Sequence, residues 1–210
     1  MRKLIAQPQL EAAHQGEAGK SHQHESAERQ VTGQARYVDD MPEAANIHHA
    51  AVGVSPVTSG SITAIDLSEV RASEGVIDVI TVDDIPGHSD IGPVFPGDPL
   101  LAGSEILYHS QPIFAVLATS VTLARQAALK ANIDISPTQA CLTVNQAKEL
   151  ENFVRPAHFM QRGDFQQRFD ESPVHVEGEM HIGGQEHMYL EGQVSMAIPE
   201  EEDRILVYSS

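Results

Sequence analysis

The stretch Ile113-Phe114-Ala115-Val116-Leu117-Ala118-Thr119-Ser120-Val121-Thr122-Leu123-Ala124-Arg125-Gln126-Ala127-Ala128-Leu129-Lys130-Ala131-Asn132-Ile133-Asp134-Ile135 decides the class of fold. Its opening run, 113–118, is continuously apolar, long enough for a buried strand and too short for a helix. Ser120 follows as an N-cap, because its hydroxyl can accept an amide that the first helical turn leaves unpaired. Over 121–131, Val121, Ala124, Ala128 and Ala131 share one helical face, flanked by Leu123 and Ala127. Ile133 and Ile135 then restart a period of two. Strand, helix and strand at this spacing predict a βαβ-type unit, and the region up to Leu150 reads as a mixed α and β domain.

Upstream, residues 1–30 are rich in Gln, Glu, His and Gly without a sustained period, which predicts a mobile arm. Alternation over 33–40 predicts a short strand that stops at Met41-Pro42, and 47–54 and 61–65 read as two more. Asp66, Glu69 and Gly75 are placed as N-cap, capping-box partner and C′ residue of a helix. The β-branched run 76–82 is a strand, and the Pro- and Gly-rich segment 83–101 is a long loop.

Downstream, 151–172 reads as a linker that separates the domain at 31–150 from a second one beginning at 173. There Val174, Val176, Gly178, Met180 and Ile182 alternate with His175, Glu177, Glu179 and His181, as along a strand. Residues 193–198 alternate again, an acidic turn follows over 199–203, and 205–208 opens another strand. A last strand without its sheet predicts a truncated second domain.

The 210 residues hold 13 Lys+Arg against 30 Asp+Glu, a net charge of −17 that argues against nucleic acid and anionic membrane surfaces as partners. Residues 1–30 balance four acids with four bases, so the acid excess belongs to the body of the chain, where it serves solubility. One cysteine, Cys141, excludes an internal disulfide framework and any Cys-rich zinc or iron–sulfur site within these residues. No apolar run approaches the length of a membrane span. A soluble, cytoplasmic protein is the expectation.

Eleven histidines raise the question of a metal. His22-x-His24 lies in the arm, and His48-His49 cannot both face one side of a strand, so ordinary polar histidines are expected. Cys141, in an apolar stretch, is expected to be a buried structural thiol. The remaining candidate is Gly183-Gly184-Gln185-Glu186-His187-Met188-Tyr189-Leu190-Glu191. Two glycines ahead of a polar triplet fit either a bulge in a hairpin or a close backbone approach to a ligand.

This stretch resembles the GGQEHFYLE signature of the molybdenum-binding subunit of the xanthine dehydrogenase/aldehyde oxidase family. The resemblance extends over about 19–210. His24-Glu25-Ser26-Ala27 and Val31-Thr32-Gly33-x-Ala35-x-Tyr37-x-Asp39-Asp40-x-Pro42 are similar to the entry of the family's α/β-hammerhead domain. Ile65-Asp66-Leu67-Ser68, Asp83-Asp84-Ile85-Pro86-Gly87, Gly92-Pro93, Pro99-Leu100-Leu101-Ala102, Gln111-Pro112 and Ala124-Arg125-x-Ala127-Ala128 follow in the family's order. Met188 departs from the usual phenylalanine, Ser110 from a glycine, Thr58-Ser59 from Ala-His, and Ile135-Ser136-Pro137 lacks a Tyr-Glu pair.

The resemblance implies an α+β fold: a hammerhead domain over 31–150, then the first β-strands of a molybdopterin-binding domain over 173–210. It implies that Gly183, Gly184 and Gln185 contact the cofactor. Gln185 would bond an oxygen on molybdenum through its amide N–H, outside the metal's direct ligands, which adds no charge. The family's catalytic glutamate lies further along, so no catalytic residue is expected here and no cofactor is expected bound to these residues alone. The whole enzyme would oxidise xanthine or hypoxanthine with water-derived oxygen, electrons passing through 2Fe–2S and FAD to NAD⁺. Those centres would sit on a small partner subunit, as in the split bacterial arrangement, in a homo-oligomer of the heterodimer. An aldehyde or N-heterocycle oxidoreductase of the same family, and a non-catalytic subunit-interaction module, are the alternatives.

Overall fold

The computed structural model describes residues 19–210, so most of the expected arm lies outside the described residues. Contacts divide the described residues into a unit of Glu43–Met180 and a unit of residues 19–42 with His181–Ser210.

The larger unit holds two antiparallel three-stranded sheets. In the first, β5 (Pro112–Ala118) lies between β1 (His49–Val54) and β3 (Val76–Ile80). In the second, β2 (Gly60–Asp66) lies between β4 (Glu105–Ile106) and β6 (Asn132–Pro137). The helix α3 (Val121–Ala128) packs on β1 and β5. The core joins Val70, Val79, Ile106, Ile113, Phe114, Val116 and Ala127, all nearly solvent-free. Val116 sits opposite Ala51 on one side and Val79 on the other, as its place in the central strand requires.

Ser120 caps α3 as expected, its Oγ accepting the Leu123 amide at 3.2 Å. The buried face of α3 is centred on Ala124 and Ala127, whereas Val121 is exposed. The βαβ expectation is corrected. β5 has both edges taken by β1 and β3, so β6 cannot join it and pairs with β2 in the other sheet.

Other local expectations give way to short turns. Residues 33–40 form no strand; Val38–Asp40 is a 3₁₀ turn, with the Asp40 carboxylate accepting the Tyr37 amide at 3.0 Å. The arm ends in a helix, α1 (Ala27–Thr32). The helix after Asp66 is one turn, α2 (Ser68–Arg71), whose N-cap is Leu67 and not Asp66; the Asp66 carboxylate accepts Ser68 N at 2.9 Å from one residue earlier, and no capping box to Glu69 forms. Gly75 (φ +74°) lies beyond that helix and turns the chain into β3, its carbonyl accepting Thr119 N at 2.9 Å. The strand expected over 76–82 ends at Ile80, and Val82–Asp84 is a second 3₁₀ turn.

The long loop is ordered by Asp90. Its carboxylate accepts Gly92 N at 2.9 Å, Gly97 N at 2.7 Å and Asp98 N at 3.4 Å. Beyond β6 come α4 (Val144–Glu149) and, inside the segment read as a linker, α5 (Phe165–Asp170). The Arg155 guanidinium of that segment lies 3.4 Å over the Phe95 ring. Cys141 is not the buried thiol expected: it is half-exposed, with Sγ 3.8 Å from the Thr143 carbonyl oxygen.

In the smaller unit, β7 (Ser195–Pro199) and β8 (Ile205–Ser209) form an antiparallel hairpin, turned by Glu202 and Asp203 at positive φ. The last strand thus has its partner. The alternation over 174–182 forms no ladder among the described residues, and Val174, Val176, Met180 and Ile182 are all exposed.

Candidate functional site

Residues 183–189 belong to no helix or strand and are exposed. Neither Gly183 nor Gly184 has positive φ, and a Cβ at either would meet nothing within 4 Å. Neither glycine is therefore demanded by a bulge or by the packing of this chain. The Gln185 amide is exposed and bonds to no other group among the described residues. Glu186 turns back on its own neighbour, accepting His187 N at 2.9 Å, and the His187 and Tyr189 rings stand 6.0 Å apart.

The end of the motif is anchored. Glu191 Oε1 accepts the Val38 amide at 2.7 Å, joining residues 153 positions apart. Beside this bond is a cleft of about 610 Å³ lined by Gln30, Tyr37, Tyr189, Glu191, Ser195 and Ser209 among others. Tyr37-x-Asp39-Asp40 and Glu191 both stand out along the chain, but the bond from Val38 to Glu191 does not, because nothing local signals a pairing at that distance.

No cluster of three or more His, Cys, Asp or Glu able to hold a metal occurs among the described residues. His24 Nδ1 accepts its own chain's Ser26 N at 3.1 Å, a local turn contact. Three carboxyls outside the motif are held below the ordinary carboxylate value by amides that donate to them: Asp66 by Ser68, Asp84 by Thr81, and Asp90 by Gly92 and Gly97. These shifts mark structural caps and a loop brace. Gln111 is the one solvent-free side chain with an unpaired nitrogen among the described residues; its Oε1 accepts Leu107 N at 2.7 Å while Nε2 has no partner. It belongs to the hammerhead sheets, away from the Gln185 motif in sequence and unit.

Comparison with known proteins supplies what this open geometry does not. Residues 32–139 match the family model for the aldehyde oxidase and xanthine dehydrogenase a/b hammerhead domain. Residues 147–210 match that for the molybdopterin cofactor-binding domain. The chain is 37% identical over 187 residues to aldehyde oxidase 4 of Mus musculus, covering 88% of this chain and 14% of that protein. It is 36% identical over 199 residues to xanthine dehydrogenase of Blastobotrys adeninivorans, covering 91% and 14%. The chain thus spans about a seventh of the length of these relatives. Among solved structures, the aldehyde oxidoreductase from Desulfovibrio gigas superposes with a TM-score of 0.72 at 27% identity, over 88% of this chain and 23% of that one. Quinoline 2-oxidoreductase from Pseudomonas putida 86 shares the fold with a TM-score of 0.72 at 22% identity, over 91% and 26%. An α+β hammerhead domain leading into the start of a molybdopterin-binding domain, matched by both family models, places this chain in the aldehyde oxidase/xanthine dehydrogenase family.

Proposed function

We propose that this chain is part of the molybdenum-binding large subunit of a molybdenum hydroxylase, in the split arrangement of bacterial xanthine dehydrogenases. The observation that carries the reading is the Gly183–Glu191 motif standing within the residues that match the molybdopterin cofactor-binding domain. Residues 1–30 are then an arm, 31–150 the hammerhead, 151–172 the connection and 173–210 the opening of the cofactor domain.

The residues fit the cofactor in kind. Gln185 offers a neutral amide donor, and Gly183 and Gly184 leave their side of the backbone open. They do not fit in number: one amide and two open backbone positions touch one edge of such a group and cannot hold it. When bound, the molybdenum centre supplies the two-electron oxidation that inserts water-derived oxygen into a substrate C–H bond. Gln185 would donate Nε2–H to an oxygen of that group, and Gly183 and Gly184 would let the chain approach it. A 2Fe–2S cluster takes four cysteine thiolates in its common form, and Cys141 is the one cysteine here. In this reading the cluster and FAD lie outside these 210 residues, on a small partner subunit that passes electrons to NAD⁺, in a homo-oligomer of heterodimers in the cytoplasm. No helix among the described residues is long and apolar enough to cross a membrane.

Xanthine or hypoxanthine is the proposed substrate. The likeness to aldehyde oxidase 4 favours a second reading, an aldehyde or N-heterocycle as substrate. The test is Gln185→Ala in the full-length complex, assayed with xanthine and with aromatic aldehydes. Loss of an outer partner of a metal group costs about 10–100-fold, so kcat should fall by that factor at unchanged molybdenum content. Unchanged kinetics would remove Gln185 from the site. Turnover confined to aldehydes would select the second substrate.

A further inference from the structure

Between residues 153–172 and everything before residue 150, one hydrogen bond, ion pair or ring contact stands among the described residues: the Arg155 guanidinium lies 3.4 Å over the Phe95 ring. Both residues belong to the Glu43–Met180 unit, yet they come from different family domains. Phe95 lies in the stretch that matches the hammerhead, and Arg155 in the stretch that matches the molybdopterin cofactor-binding domain. We propose that this stack is an interdomain latch: the 88–100 loop is its fixed post, and Arg155 is the tongue that holds the start of the cofactor domain on the hammerhead.

The post is built to stay in place. The Asp90 carboxylate gathers the Gly92, Gly97 and Asp98 amides across the loop. Ile91 N donates to Asp98 O at 2.9 Å and Leu100 N to Ser89 O at 2.7 Å, so the two limbs are laced together below the tip. At the tip, a Cβ on Gly92 would run into the Phe95 carbonyl oxygen, and Gly97 holds φ +135°, a backbone that favours glycine. A loop closed this tightly presents the Phe95 ring as a platform, and the ring remains half exposed.

The tongue has no other support. Residues 153–164 belong to no helix or strand, and Phe153, Val154, Phe159 and Met160 are all exposed. Arg155 and Phe95 each precede a proline, Pro156 and Pro96, whose ring disfavours helical backbone at the residue before it. Fewer conformations are therefore lost when the two side chains meet. A guanidinium suits the contact, since its plane stacks on an aromatic face and it is less strongly hydrated than an ammonium. An exposed pair of this kind shifts a two-state balance by about 2–5-fold. The latch therefore opens and closes readily instead of locking.

The test uses the 210-residue chain. The closed latch places the Arg155 side chain over the ring, so its δ-methylene protons should resonate upfield by ring current, and Phe95→Leu should abolish that shift. Chymotryptic cleavage after Phe159 reads the open state, because the protease must take an extended stretch that reaches back to Arg155. Arg155→Met and Phe95→Leu should each raise that cleavage rate about 2–5-fold. The double variant should be no faster than either, since the two residues act through one contact. Phe95→Trp offers a stronger cation-binding face and should slow cleavage. Asp90 bonds to no residue of 153–172, yet Asp90→Asn should raise the rate by a similar factor, by loosening the post. Cleavage after Phe169, beyond the latch, should keep its rate in every variant.

An unshifted Arg155 methylene in the wild-type chain, unchanged cleavage in Arg155→Met and Phe95→Leu, or multiplied effects in the double variant would each overturn the latch. A rise at Phe169 equal to that at Phe159 would overturn it as well, since it would report general loosening. If Asp90→Asn speeds amide exchange within the loop but leaves cleavage after Phe159 untouched, the loop is no post and the proposal falls.

Discussion

Two single residues bear most directly on the hammerhead's integrity. Gly53 pairs with Phe114 across β1 and β5, and a Cβ built on it would come within 2.0 Å of the Phe114 ring. Phe114 is itself fully enclosed by the core, so it has nowhere to move. Gly53→Ala is expected to cost about 1–3 kcal/mol by overpacking, measured as a lowered denaturation midpoint, whereas Gly178→Ala, which meets no atom within 4 Å, should leave it unchanged. Asp90 is the second. Its carboxyl is held below the ordinary value by the Gly92 and Gly97 amides. A depressed folded value means that its contribution is fully present above the unfolded carboxylate value of about 3.9 and is lost as pH falls through the folded one. Amide exchange at Gly92 and Gly97 should therefore accelerate in that acid window. Asp90→Asn should accelerate it at neutral pH and remove the acid dependence.

Among the elements, the three helices with side-chain caps differ in what the cap supports. Ser120 caps α3, which buries Ala124 and Ala127 against the sheet. Thr143 caps α4 through Gln146 N at 3.2 Å and Asp164 caps α5 through Gln167 N at 3.0 Å, but neither helix has a buried residue. Ser120→Ala should lower global stability by about 1 kcal/mol. Thr143→Ala and Asp164→Ala should fray only their own helices, visible as local amide exchange with an unchanged unfolding midpoint. The same contrast separates the strands. β5 has neighbours on both sides, so its amides should exchange at the slowest rate in the chain, while those of 174–190, without a ladder, should exchange near the free rate.

For the molecule as a whole, Gly183 and Gly184 are open to solvent and no metal-holding cluster occurs among the described residues, so on the proposed reading the 210-residue chain alone should bind no stoichiometric molybdenum. Elemental analysis of the purified chain checks this, and metal at one per chain would contradict it. Much of the architecture was legible in residue order. The apolar run at 113–118, Ser120 as a cap, the alternation at 193–198 and the strands read over 47–54 and 205–208 each became the expected element, because period and capping act within a few residues. The alternation at 174–182 had the same signature and formed no ladder, since a strand needs a partner that periodicity cannot name. The motif Gly183–Glu191 was legible as a family signature, within the residues that match the molybdopterin cofactor-binding domain. Its tie to Val38 was not. What the sequence determined by itself was local: which runs are apolar, which hydroxyls cap, and which residues carry a family signature. Only the tertiary structure decided that β6 leaves β5 for β2, that Asp90 gathers three amides, and that Glu191 reaches Val38. Edges, enclosed volumes and unpaired amides come into being when distant segments meet, and their free energy is written nowhere along the chain.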